Sequence, residues 1–243
     1  MRLMVFASRT QKELIRDPLN MAFGLGFPLV VLFLLSAIQA NIPVSLFEIS
    51  QLTPGIAVFG LSFISLFSGT LIAKDRSTSY LLRLFASPLT STDFILGYTL
   101  PLLPMALLQT VICFIAAFFL GLAFSLNLLL ALVVMIPAAI LYIAIGLLAG
   151  SLLTDKQVGG ICGALLTNLS AWLSGTWFDL NLVGGGFKAV AYALPFVHAV
   201  DAAKAAVAGN YADILPHLWW VMGYAVVIMV LAILAFKKKM NSD

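Results

Sequence analysis

The chain has 243 residues, of which 62% are hydrophobic and only 9% charged, against about 25% charged in an ordinary soluble domain. With a mean hydropathy of +1.09, it carries more apolar surface than a water-soluble fold of this size could hide, so a bilayer is the solvent for most of it. The net charge of +3 is small, and its placement along the chain says more than its size.

Residues 1–18 are predicted to form an amphipathic interfacial helix. Leu3, Phe6, Leu14 and Ile15 share one helical stripe, with Arg9, Lys12, Glu13 and Arg16 largely off it, the pattern of a helix lying in the headgroup layer. Asp17-Pro18 ends the stretch, because the residue before proline avoids helical angles. A cleaved signal is not expected. Glu13 and Asp17 sit among the basic residues, the first apolar run begins only near Met21, and no small-x-small pattern follows it.

Six apolar runs follow, at 20–39, 54–73, 94–120, 128–150, 158–178 and 214–236. Each has about the 20 residues that a helix needs to cross the hydrocarbon layer. Lipid offers no partner for free backbone groups, so the fold class is an all-α membrane protein with six transmembrane helices in one domain. The alternating segments of about ten residues that a barrel needs are absent. Basic residues set the orientation. Of 13 Lys and Arg, 11 lie before the first run, in the 74–93 loop, at Lys156 or after the sixth run. Lys188 and Lys204 alone fall on the other side. Both termini are therefore expected in the cytoplasm.

The 74–93 loop is expected to be cytoplasmic, with a short helix over Ser79–Ala86 that ends at Ser87-Pro88. Thr92 or Ser91 is the expected cap of the third span. Residues 179–213 are expected outside. Gly184-Gly185-Gly186 opens this segment with a helix-breaking turn. The stretches Phe187–Leu194 and Phe196–Ala208, split by Pro195, read as short outer half-helices.

Chemistry is sparse. No charged residue falls in the middle of a span, where an ion-coupled carrier would keep one. No catalytic constellation and no metal cluster is evident. His198 and His217 could ligate a metal as a pair, but interfacial polar residues are the simpler reading. Cys113 and Cys162 read as small buried hydrophobes. No Gly-x4-Gly-Lys-Ser/Thr cradle occurs, so the chain itself is not expected to hydrolyse ATP. Small residues mark candidate helix contacts: Ser62, Ser65 and Gly69 in the second span, Gly146 and Gly150 in the fourth, and Gly159, Gly163, Thr167 and Ser170 in the fifth. Phe59, Phe63 and Phe67 form a neighbouring stripe in the second span, and Asn168 in mid-membrane needs a partner or water.

The chain resembles the ABC-2 (ATP-binding-cassette type 2) transporter permeases over its whole length. The likeness rests on the amino-terminal helix with Lys12-Glu13 and Arg16-Asp17-Pro18, on Pro28 in the first span, on Leu84-Phe85-Ala86-Ser87-Pro88-Leu89 followed by Phe94-Ile95-Leu96-Gly97-Tyr98, and on the short outer helices. The resemblance implies a plasma-membrane exporter made of two permease subunits, identical or paralogous, and two cytoplasmic ATPase subunits. ATP and Mg would be bound on the partner ATPases, with no cofactor in this chain and no nucleic-acid partner. It makes Arg83, Phe85, Ser87, Pro88 and Leu89 ATPase-coupling candidates. Phe59, Phe63, Phe67, Asn168 and Trp172 become substrate-pathway candidates, for a hydrophobic compound or a peptide. The alternatives are an ion-coupled secondary carrier, which would show inverted internal similarity, and a non-transporting scaffold or immunity-type protein.

Overall fold

The computed structural model describes residues 2–43, 47–78 and 89–240. Among these residues there are helices and no strands. The helices are α1 (Arg2–Ile15), α2 (residues 18–39), α3 (Ile49–Ser77), α4 (Ser91–Phe119), α5 (Asn127–Leu152), α6 (residues 155–173), α7 (Leu180–Val183), α8 (Gly185–Ala193), α9 (Pro195–Ala208) and α10 (Tyr211–Met240). Five described stretches are long and apolar enough to cross a membrane: Ala22–Gln39 within α2, then α3, α4, α5 and α10. The pair α8 and α9, bent by 78° at Leu194-Pro195, makes a sixth if it is taken as one broken span.

The fifth expected span is the helical run of α6, which is shorter than 158–178. Thr154 opens it with a capping box, its hydroxyl accepting from Gln157 N and the Gln157 side chain accepting from Thr154 N. It stops at Leu173, where Ser174, Gly175 at φ +67° and Thr176 form a polar turn. Hydrophobicity continues through Trp177-Phe178, and that carried the sequence reading past the true end. Residues 159–166 of α6 are π-helical, and Thr167 Oγ1 donates to the Cys162 carbonyl at 3.0 Å.

A second π-helical stretch, Ala22–Gly26, lies in α2 just before Pro28. Proline has no N–H to give to the carbonyl four residues back, and its ring crowds that carbonyl, so the preceding turn widens. The third span is capped by Thr90 rather than Ser91 or Thr92. Thr90 Oγ1 accepts from Asp93 N at 3.2 Å, and Asp93 returns the bond by accepting from Thr90 N at 2.9 Å.

Helix α3 is the centre of the molecule. Nearly every residue from Leu52 to Ala73 is buried, under α2, α4, α5, α6 and α9. Its small residues make this possible. A Cβ on Gly146 of α5 would overlap the Ser65 carbonyl and the Ser68 hydroxyl, and one on Gly150 would overlap Ile72 and the Gly69 carbonyl. Ser68 Oγ bridges this seam, bonding the Ser65 carbonyl at 2.9 Å and the Ile143 carbonyl of α5 at 3.2 Å. The expected seam of α6 is looser: Gly159 meets nothing, and Gly163 meets only the flexible end of Leu66.

Candidate functional site

At one end of the bundle, α1 is locked onto α3 and α4. Its buried face is Phe6, Ala7, Thr10 and Leu14, whereas Ile15 is exposed, contrary to the stripe read from sequence. The register is set by Phe6, which fills the notch left by Gly97 and meets Phe94 and Tyr98 edge-on at 5.4 and 4.9 Å. Protein on this side, rather than lipid alone, selects the buried face. Beside it Arg9 forks onto Asp75 at the end of α3, with Nη1–Oδ2 at 2.6 Å and Nη2–Oδ1 at 2.9 Å. Tyr98 donates to Asp75 Oδ2 at 2.7 Å. Arg9 also pairs with Glu13 at 2.8 Å. Burial, and then the charge of Asp75, hold the Glu13 carboxyl above its ordinary range. Next to this lock, Arg76 donates to the Gly150 and Leu153 carbonyls at the end of α5.

No local motif in the sequence marks Asp75 for this role. Its partner lies 66 positions away, a distance at which spacing carries no signal. Of the coupling candidates, Leu89 is half-buried against the core. Arg83, Phe85, Ser87 and Pro88, with the helix expected at Ser79–Ala86, lie outside the described residues.

Midway along the bundle, four of the five pathway candidates meet. Phe59, Phe63, Asn168 and Trp172 line one groove of about 490 Å³, together with Phe27, Val31, Thr167 and the Trp177-Phe178 turn. The rings interlock: Phe59 lies edge-on to Phe63 and to Trp177, each at 5.7 Å, and Phe27 meets Phe63 at 5.2 Å with the planes tilted by 58°. Asn168 donates to the Ala164 carbonyl of its own helix at 2.8 Å, which leaves its carbonyl oxygen for the groove. Behind it, a hydrogen bond between Tyr142 and Ser170 fastens α6 to α5. Phe67 does not belong to the groove. It is buried under α2, where it packs into the notch at Gly24.

Among the described residues, nothing covers the outer face of α6. Ile161, Leu165, Leu169 and Trp172 are all exposed there, Trp172 at 60%.

A family model of ABC-2 type transporters matches residues 1–207, which is most of the chain. The chain belongs to that family. It is a multi-pass membrane permease of the ABC-2 type, a transmembrane transport component that is not itself catalytic. A search of curated proteins gives no match.

At the end of the ABC-2 permease opposite α1, the two histidines bond to each other. His198 Nδ1 and His217 Nδ1 are 2.8 Å apart, and His198 Nε2 lies 2.9 Å from the Tyr192 carbonyl. A carbonyl only accepts, so His198 carries its proton on Nε2 and accepts from His217 through Nδ1 when the pair is neutral. Trp220 stacks on His198 at 5.1 Å with the planes 4° apart. No group of three metal-ligating side chains occurs among the described residues. The pair ties α9 to α10 and to the end of α8. Nearby, a second groove of about 410 Å³ is lined by Gln51, Trp177, Phe178, Asp179, Tyr192, Asp201 and Lys204, among others.

Proposed function

We propose that this permease is the membrane half of an ATP-driven exporter, working as a dimer with two separate cytoplasmic ATPase subunits. The observation that supports this most is the aromatic groove. It opens beside the uncovered face of α6, where a second permease subunit would close it into a pathway. The groove is apolar, which suits a hydrophobic compound or an apolar part of a peptide. Force would enter at the α1 end, where the Arg9–Asp75–Tyr98 lock joins the amino-terminal helix to the two spans that flank the 79–88 segment. In this arrangement that end is cytoplasmic, and the 179–213 segment, which holds α7, α8 and α9, lies on the outer side.

Orientation has its own test. In a chain with Cys113 and Cys162 replaced, an impermeant thiol reagent added to intact cells labels Leu182→Cys and spares Ser77→Cys, both positions being exposed. Labelling of Ser77→Cys from outside would invert the molecule.

The pathway is tested by Phe63→Ala and Asn168→Leu. Phe63 is 9% exposed and ringed by aromatic neighbours, so it is not a lipid-facing residue whose loss acyl chains would repair. Truncating it should change substrate range or basal ATPase activity of the assembled complex several-fold. Asn168→Leu removes the one amide in the groove and should do the same for any substrate with an acceptor or donor at that depth. If both variants assemble and transport every tested substrate like the parent, the pathway runs elsewhere.

A further inference from the structure

The chain's two histidines bond to each other beside the 78° bend between α8 and α9. His198 on α9 is buried, and His217 on α10 is half-buried. The Tyr192 carbonyl at the end of α8 takes the Nε2 proton of His198, so the pair joins three helices. Trp220 stacks on the His198 ring and Tyr192 meets it edge-on at 5.8 Å, which fixes the ring in place.

Counting protons shows what this arrangement can do. In the neutral pair, His217 Nδ1 donates to His198 Nδ1, and His217 Nε2 carries no proton. One added proton goes to that free nitrogen and leaves the bond intact, now donated by a cation. A second proton has only His198 Nδ1 left to occupy. It would set two N–H groups head to head across 2.8 Å, each on a cation, and the bond becomes a repulsion. Such a pair titrates in two steps that belong to the pair and not to either ring. The charged groups on the elements around it are Asp179 at the start of α7, Lys188 of α8, Asp201 and Lys204 of α9, and Asp213 of α10. Helices α3, α5 and α6, which also pack on α9, carry none at this end. These charges set the pH at which the second proton arrives. They do not change the geometry that makes it break the bond.

We propose that His198 and His217 form a proton-operated latch, which holds α9 against α10 while the pair carries no added proton or one, and releases α9 when it carries two. Tyr192, Val197, Asp201 and Lys204 on α8 and α9 line one side of the second groove, so release loosens that groove. The latch does not depend on which side of the membrane it faces. Its answering to external acid rests on the orientation proposed above.

The test is hydrogen exchange of the full-length permease in lipid nanodiscs, where both faces meet the buffer. Rates are compared at about pH 7.5 and about pH 4.5, above and below the ordinary histidine range, after correction for the intrinsic pH dependence. In the parent, α9 amides should lose about tenfold of their protection in acid, while α5 amides keep theirs. His217→Asn is the decisive variant. Its amide sits where histidine Nδ1 sits, donating through nitrogen to neutral His198 and, once flipped, accepting through oxygen from protonated His198. It therefore keeps the tie at both pH values, and α9 should stay protected in acid. His217→Ala should leave α9 poorly protected at both. Equal acid loss in the parent and in His217→Asn would overturn the latch, since the acid effect would then come from other groups. Full protection of α9 in His217→Ala at pH about 7.5 would also overturn it, because the bond would hold nothing.

Discussion

Gly146→Leu eliminates the folded permease, and Gly146→Ala lowers its thermal midpoint by several degrees. The cause is the contact between α3 and α5. A Cβ at position 146 meets the Ser68 hydroxyl and, more decisively, the Ser65 backbone carbonyl. The hydroxyl could turn away, at the expense of its bond to the Ile143 carbonyl, but a helix carbonyl cannot. The two helices must separate, and overpacking of this kind costs about 1–3 kcal/mol for a small group and more for a large one. Because α3 is the helix that most others pack on, the strain spreads. Gly223 and Gly160, helical glycines with nothing within reach of a Cβ, are the controls. Alanine there should be neutral or slightly stabilising, since glycine costs a helix interior about 1 kcal/mol relative to alanine. Thermal melts followed by fluorescence-detected size exclusion would measure the series. An unchanged midpoint for Gly146→Ala would mean that α3 and α5 do not approach as described.

Arg9→Ala releases α1 from the bundle, and it does more damage than Asp75→Asn. The two partners differ in burial. The Asp75 side chain is 7% exposed and that of Arg9 33%. Removing Arg9 leaves a buried carboxylate with Tyr98 as its remaining side-chain donor among the described residues, and stranding a charge in this way costs about 3–5 kcal/mol. Removing the Asp75 charge leaves a guanidinium that can still reach water and Glu13, so the loss is smaller. A cysteine at Ala7, 8% exposed against α4, reports the release. Its labelling should quicken roughly 100-fold in Arg9→Ala, the equivalent of about 3 kcal/mol of local opening. Adding Asp75→Asn to Arg9→Ala should recover part of the loss. Equal labelling in the parent and in Arg9→Ala would show that α1 is held by Phe6 and its aromatic neighbours alone. In the assembled transporter, Arg9→Ala should also uncouple ATP hydrolysis from transport.

Much of this fold was legible as a pattern of lengths. Spans appear as apolar runs because a helix has no other way to satisfy its backbone in lipid, and the split at Pro195 marked the bend between α8 and α9. Caps were readable by a rule that had to be applied strictly. The spacing Thr90-x-x-Asp93 selects Thr90 over its neighbours, because the third residue must reach back to the cap. Pairings between distant positions were not readable. Gly146 and Gly150 announced a close contact but not that Ser65, Ser68 and Gly69 would fill the other side. The similar row in α6 announced one that is not closely packed within this chain. In the candidate site, Phe59, Phe63, Asn168 and Trp172 were legible as isolated features that the fold then gathers. Phe67 shares their helical face, yet the notch at Gly24 carries α2 over it, and only tertiary packing decides that. Asp179, Asp201 and Lys204 showed nothing beyond an outer segment with mixed charge, since their meeting depends on where α6 stops.

The central claim is that the uncovered face of α6, with the groove beside it, meets a second permease subunit. Site-specific photo-crosslinking in native membranes measures this directly and traps an identical or a paralogous partner equally well. A photoreactive residue at Trp172 should yield an adduct with a second permease subunit, and one at Val226, exposed on α10, should yield lipid adducts only. Protein adducts from Val226 together with lipid alone from Trp172 would contradict the account, because the groove would then open on the bilayer and the subunits would meet through α10.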